Sequence, residues 1–395
     1  MAASTSLPTG MDRQLQIYLG GLQGERPSLP VSFEALEQAA AGCLAPEAFA
    51  YVAGGAGGED TMAANRAAFA RWRLVPRMMR DVARRDLHVE LLGRTIPAPV
   101  LLAPIGVLGI VHEEGEEAVA RAARSLGVPL ILSTVSSKPM EAVAAAMGPA
   151  PRWFQLYWGR DPDVTASLLR RAEAAGFEAL VVTLDTKLLA WRERDIGYAY
   201  LPFLRGDGLA NFFTDPAFRA SLEKPPEQDP AGAIRRFAAV FSDPSLTWKD
   251  LAFLREHTRL PILVKGVLHP DDARRALDHG VDGLVVSNHG GRQVDGALAA
   301  LDALPDVVDV VQDRVPVLFD SGIRRGADVL KALALGARAV LLGRPYVYGL
   351  ALGGEVGVRD VVLNLLADLD LTLALCGYTS AAEPDREALL ERPYR

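Results

Sequence analysis

From residue 100 onward, short runs of β-branched and other apolar residues alternate with Ala-rich stretches whose apolar positions recur at helical spacing, the βα pattern of a parallel sheet. The runs predict strands over Val100–Gly106, Leu130–Thr134, Trp153–Trp158, Ala179–Asp185, Leu260–Val267, Gly283–Asn288, Val315–Gly322 and Ala339–Arg344. A helix signal follows each of the first seven, as where Pro270-Asp271-Asp272 opens a stretch that ends at Gly280, and an eighth helical stretch follows Pro345. Eight such units predict an α/β fold of the TIM (β/α)8 barrel type rather than an open doubly wound sheet.

Successive strand starts lie 23 to 32 residues apart except across the fourth connection, where the gap is 81. The excess, 186–246, carries Gly206, Gly208, Pro216, Pro225, Pro226 and Pro230 among many aromatics, and Thr247-Trp248-Lys249-Asp250 reads as a capping box that restarts the regular pattern. It predicts a lid with short helices of its own; a surface insertion without a catalytic part is the competing reading. Ahead of the barrel, amphipathic patterns occupy Ser32–Leu44, Pro46–Val52 and Glu59–Trp72, and a strand pair lies near Leu87–Leu91 and Thr95–Ile96. The expected organisation is one domain over 1–395, with a helical extension at 1–99, the barrel at 100–377 and the lid inserted within it.

Composition acts mainly by exclusion. Half of the 395 residues are hydrophobic and 23% are charged, which suits a globular enzyme and rules out a disordered chain. The balance of 42 Lys and Arg against 49 Asp and Glu offers no general attraction to nucleic acid or anionic lipid. The apolar stretch Ile96–Val111 is 16 residues long and holds three Pro and two Gly, too short and broken to cross a membrane. Met1–Gly10 has neither a basic head nor an apolar core, so no secretory signal is expected and the expected location is the cytoplasm. Cys43 and Cys376 have no ligand-like spacing and read as two packed thiols; no metal site is expected.

In a barrel of this kind the chemistry belongs at the carboxyl ends of the strands. Strand seven ends Asp320-Ser321-Gly322-Ile323-Arg324 and strand eight Gly343-Arg344, so backbone N–H groups beside two guanidiniums predict a phosphate-bearing ligand. Among six histidines, His289 follows strand six directly, with Gly290 and Gly291 allowing close approach and Arg292 three residues on, which suits a base beside an anion site. His112 is a second candidate; His88, His257, His269 and His279 read as structural or surface residues. Gln155 with Tyr157, and Thr183 with Asp185, lie two apart and so share strand faces. Asp185 can orient the imidazole. Lys265 beside Gly266 ends strand five, and a Schiff-base amine in an aldolase or isomerase barrel stays open as a reading of it.

The set S-N-H-G-G-R-Q at 287–293, K-G at 265–266, Q-L-Y at 155–157, T-L-D-T at 183–186, D-S-G-I-R-R-G at 320–326 and G-R-P at 343–345 resembles the FMN-dependent 2-hydroxy acid oxidase family, in order from about Ser32 to about Gly377. The resemblance implies FMN as cofactor, with a small 2-hydroxy acid and O2 as partners and a homotetramer or homo-octamer as assembly. It implies His289 as base with Asp185 as its partner, Arg192 and Arg292 on the substrate carboxylate, and Tyr51 and Tyr157 hydrogen-bonded to the substrate. It further implies Ala103, Pro104, Ile105, Gly106, Ser133, Gln155, Thr183, Lys265 and Ser287 around the flavin ring, and Asp320, Gly322, Arg324, Gly343 and Arg344 on the ribityl and phosphate. Tyr51-Val52-Ala53-Gly54-Gly55, Ala103-Pro104-Ile105-Gly106, Pro202-Phe203-Leu204-Arg205-Gly206 and the long insertion are most similar to members with lactate 2-monooxygenase activity, which turn L-lactate and O2 into acetate, CO2 and water. Gly106, without a side chain, is expected to leave room beside the flavin for that outcome. An oxidase releasing 2-keto acid and H2O2, and a non-catalytic FMN- or phosphate-binding barrel, are the alternatives. Val52, Trp158 and Lys187 depart from the glycolate oxidase pattern and leave substrate size open.

Overall fold

The computed structural model describes residues 7–392. Its centre is a closed barrel of eight parallel strands, Val100–Leu102, Leu130–Ser133, Arg152–Leu156, Leu180–Thr183, Ile262–Val267, Gly283–Val286, Val317–Phe319 and Ala339–Leu342. Each strand pairs with its neighbour in sequence, and the eighth closes on the first with Val340 opposite Val100 and Leu342 opposite Leu102. Side chains of nearly every strand position are buried, because the inner face fills the barrel and the outer face lies under the helices.

All eight expected strands are present, but most end two to four residues early. Left-handed backbone follows three of these ends within two to five residues: His289 has φ 60°, Ser321 φ 90° and Val107 φ 53°. His289, Arg292, Asp320 and Arg324 therefore sit on the connecting turns beyond the ladder, whereas Gln155, Thr183 and Lys265 stay within paired strands. Strand five also carries a bulge. Its pairing with strand six shifts register between Lys265 and Val267, around Gly266 at φ 103°.

The connection 186–246 forms five short helices, including Pro202–Arg205, Ala210–Phe213 and Pro230–Val240. They pack through buried aromatics, Phe203 against Phe237 and Phe241, and Phe212 against Phe218 and Phe237. Buried Asn211 ties this layer to the barrel by donating to the carbonyls of Ser133 and Thr134. The capping box after it is present, with Asp250 accepting from the N–H of Thr247 at 2.6 Å and its hydroxyl at 2.8 Å.

Before the barrel, helices Phe33–Cys43, Pro46–Ala53 and Asp60–Arg71 and the hairpin Val89–Leu91 with Arg94–Ile96 follow the expected pattern. Two features lie outside it. Gly10–Leu22 is a helix whose N-terminus is capped reciprocally by Thr9 and Asp12, and Gly10 N–H donates to Asp370 of the C-terminal helical segment Arg344–Leu375. Trp72–Leu74 pairs antiparallel with Leu389–Glu391, joining the extension to the chain's far end. Of the two thiols expected to be packed, Cys376 is buried and Cys43 is exposed at the end of its helix. Among the described residues no helix is long and apolar enough to cross a membrane.

Candidate active site

The turn after strand six builds the centre. Ser287 Oγ accepts the N–H of His289 at 2.9 Å, and the run of positive φ from His289 through Gly291 curls the chain so that the imidazole crosses the barrel mouth. Gly291 is needed for close approach, since a Cβ there would lie 2.7 Å from the backbone nitrogen of Met62. His289 Nδ1 lies 2.8 Å from Asp185 Oδ1, while Nε2 faces the Tyr157 hydroxyl at 3.4 Å. An ionised carboxylate can only accept, so Nδ1 carries the proton and the Nε2 lone pair is turned toward the cavity.

Burial pushes His289 below the ordinary imidazole range, against the pull of Asp185. Burial would raise Asp185, but its hydrogen-bonded contact with His289 and the Lys265 ammonium prevail and hold it below the usual carboxylate range. Burial thus favours the basic form of His289 while its neighbours favour an ionised Asp185. Gly266 makes room for that carboxylate: a Cβ there would come within 2.8 Å of Asp185 Cβ and Cγ. Burial, then the negative charge of Asp185, raises Tyr157 well above an ordinary phenol, so its hydroxyl stays a donor.

Lys265 is buried at 3% exposure, with Nζ 2.9 Å from both Asp320 Oδ2 and Ser287 Oγ. Burial opposes its charge, yet Asp320 and Asp185 outweigh burial and raise it above an ordinary lysine. A Schiff-base amine must be neutral to attack, so this geometry counts against the aldolase reading. Behind the wall, Ser133 donates to Gln155 Oε1 and Gln155 Nε2 to Thr183, each at 2.9 Å, forming a satisfied polar layer.

Four arginines converge on the same mouth. Arg292 stacks 5.3 Å over the Tyr51 ring and donates to the Gly54 carbonyl; Arg344 donates to the carbonyls of Val52, Gly54 and Gly290. Arg324 lies 3.5 Å over the Phe33 ring. Burial first, then neighbouring arginines, pushes Arg292 and Arg324 down to about 9. Neither they nor Arg344 form an ion pair among the described residues. Half-buried cations without carboxylates call for anions from outside, which is what a phosphate and a substrate carboxylate would supply.

The cavity holds about 1120 Å³ of space, part of it open to solvent, and is lined by Tyr51, Ala103–Gly106, Tyr157, Arg192, Lys265, His289, Arg292, Asp320, Gly322, Arg324, Gly343 and Arg344. Asp185, Ser133, Gln155, Thr183 and Ser287 stand directly behind that wall, so every expected site residue gathers here. His112 does not; its Nδ1 accepts the N–H of Glu114. Of the departures from pattern, Val52 lines the cavity, whereas Trp158 stacks on Phe253 and Lys187 donates to the Leu246 carbonyl. The expected room at Gly106 is absent. A Cβ there would meet Val135 Cγ2 at 2.5 Å and the Val135 carbonyl at 2.6 Å, so Val135 already fills it.

Sequence reasoning gave no role to Leu189, Phe203 and Phe241, which line the cavity from the insertion, or to Thr186, whose hydroxyl is 3.2 Å from Asp185 and 3.4 Å from His289 Nδ1. Adjacency to Asp185 could have flagged Thr186; the insertion's path had no local signal.

Over residues 40–391 the chain matches the model of a family described as FMN-dependent dehydrogenase. It is 48% identical over 385 residues to an FMN-dependent alpha-hydroxy acid dehydrogenase of Penicillium citrinum, covering 96% of each chain. It is 46% identical over 364 residues to an L-lactate oxidase of Lysinibacillus sphaericus (strain C3-41), covering 92% of this chain and 93% of that one. Among solved structures it resembles mandelate oxidase, with a TM-score of 0.81 and 40% identity over 92% of this chain and 98% of that one.

Proposed function

Because this chain belongs to the FMN-dependent dehydrogenase family, and so is an FMN-dependent 2-hydroxy acid oxidoreductase, we propose that it oxidises small L-2-hydroxy acids with O2 as acceptor, releasing 2-keto acid and H2O2. The observation that carries this reading is one cavity shared by the His289–Asp185 pair and by Arg192 and Arg292. FMN, when bound, takes up the substrate's electron pair and passes it on. Arg324, Arg344 and the turns at Gly322 and Gly343 would hold its phosphate. Lys265, the polar layer of Ser133, Gln155 and Thr183, and the Ala103–Gly106 backbone would surround its ring.

Arg192 and Arg292 bind the substrate carboxylate through charge-assisted bonds, and Tyr51 and Tyr157 add hydroxyl donors. His289 then receives a proton at Nε2, and Asp185 stabilises the imidazolium that forms. Val52, Leu189, Phe203 and Phe241 give the 2-substituent an apolar wall and exclude water. Asp185→Asn keeps a polar partner for His289 but removes this charge. We expect kcat/KM to fall about 100-fold. His289 works only when neutral, so activity rises as pH climbs through its pKa; loss of Asp185 lowers that pKa further and moves the acid limb to lower pH. An acid limb shifted upward in a pH–rate profile contradicts the assignment.

A second reading rests on the aromatic packing of the insertion, which could retain the keto acid while peroxide forms beside it. L-lactate would then give acetate, CO2 and water. The filled space at Gly106 removes one support for that outcome. Product analysis in air with catalase present to remove released peroxide decides: pyruvate equimolar with lactate consumed is expected, and acetate with CO2 in its place defeats the oxidase reading.

A further inference from the structure

Arg192 is the one arginine of the cavity carried by the insertion, at the start of the short helix Glu193–Gly197. Three acceptors surround its guanidinium. Nε donates to the Arg292 carbonyl at 3.2 Å, one terminal nitrogen donates to Gln293 Oε1 at 3.1 Å, and the other lies 3.7 Å from Asp195. Gln293 spends its remaining capacity on the same stretch of chain, with Nε2 donating to the carbonyls of Asp185 at 2.7 Å and Leu188 at 3.2 Å. Only one orientation of the amide serves all three partners, oxygen toward the guanidinium and nitrogen toward the carbonyls. One side chain thereby ties 185, 188 and 192 to the loop that carries His289 and Arg292.

Of the groups on that loop, only Gln293 reaches 185, 188 and 192 together; the Arg292 carbonyl holds Arg192 Nε alone and His289 holds the Asp185 carboxylate alone. Leu188 and Trp191 are 66% and 71% exposed, so the segment gains almost no burial of its own. Its other anchors, the Trp191 carbonyl on the Gly57 N–H and Lys187 on the Leu246 carbonyl, do not touch the Arg192 guanidinium.

We propose that Gln293 is the positioning residue that aims Arg192 at the substrate carboxylate and fixes the first leg of the insertion over the site. This rests on the reading above, in which Arg192 and Arg292 clamp that carboxylate. Gln293→Met keeps the volume and removes all three bonds. Oxalate, a carboxylate that cannot turn over, is titrated into the FMN-loaded enzyme by flavin absorbance, beside steady-state kinetics and thermal melting. Oxalate Kd and substrate KM are expected to rise about tenfold or more, with kcat changed by less than about threefold and melting little altered. The Gln293→Met and Arg192→Lys effects on oxalate are expected to be non-additive. Oxalate affinity within about twofold of the native enzyme overturns the proposal. If Arg192→Lys also leaves oxalate binding unchanged, the clamp reading falls with it; if Arg192→Lys weakens oxalate and Gln293→Met does not, only this inference fails. Should the Met variant not fold, Gln293→Asn, polar but too short to span three partners, is expected to show the same loss, and native-like oxalate binding by it is equally fatal.

Discussion

Replacing His289 with Gln is expected to leave a yellow, folded protein with kcat/KM reduced about 10⁴-fold, roughly 5.5 kcal/mol of barrier. Colour should survive because the groups assigned to FMN, Lys265, Arg324 and Arg344, are held by Asp320, Phe33 and backbone carbonyls rather than by the imidazole. Folding should survive because Gln meets the same positive-φ backbone that His already occupies, and its amide can donate to Asp185 in place of Nδ1. What Gln cannot do is accept a proton at the position of Nε2. Visible absorbance and oxygen uptake on the same sample check this. Retention of more than about a tenth of native activity would remove His289 as the base.

Lys265→Met should be nearly as severe, for a different reason. The substitution removes a buried ammonium and strands the Asp320 carboxylate, itself only 7% exposed, at a cost of about 3–5 kcal/mol. Reduced thermal stability and weaker FMN retention are therefore expected together with loss of turnover. Pairing the change with Asp320→Asn separates the effects. The double variant should regain stability, since neither charge is then left alone, but not activity, since the ammonium proposed to stabilise negative charge on the flavin ring is still missing. Recovery of turnover along with stability would show Lys265 to be only a partner for Asp320. The native ammonium, raised above its ordinary value, keeps its contribution at all pH values below about 10.5 and loses it only as pH rises past the folded pKa. An alkaline limb below that range must have another source.

The barrel was readable because its strands are dense apolar runs separated by regular helix signals, and burial on both faces imposes that pattern. Strand ends were not. The residues at 103–106, 287–288 and 320–322 continue the apolar runs directly and so extend the expected strands, although their Pro, Gly, Asn and Asp disfavour strand; the ladders end at Leu102, Val286 and Phe319, ahead of the left-handed residues Val107, His289 and Ser321. The pairing of Trp72–Leu74 with Leu389–Glu391 joins two three-residue segments from opposite ends of the chain, too short to show periodicity. The helix Gly10–Leu22 did carry signals, Thr9 and Asp12 at capping spacing and Met11, Leu15, Tyr18, Leu19 and Leu22 at helical spacing, although in the structure those apolar side chains are exposed and pack on no core. At the site, residues on strand ends were legible from the period of two. Thr186 was legible by its adjacency to Asp185, but the role of Gln293 and the apolar wall from the insertion depend on how a 61-residue excursion returns to the mouth, which no local pattern encodes.

The single irregularity in strand five joins matters that are usually tuned apart. Gly266 sets Lys265 on one side toward Asp320 and admits Asp185 on the other toward the imidazole. In the proposed function, electron handling and proton handling would thus be mechanically geared through one residue. Loop grafting beyond Leu188 could reshape what enters the enzyme while leaving that gear intact, whereas inserting or deleting one residue in 262–267 would disengage both at once.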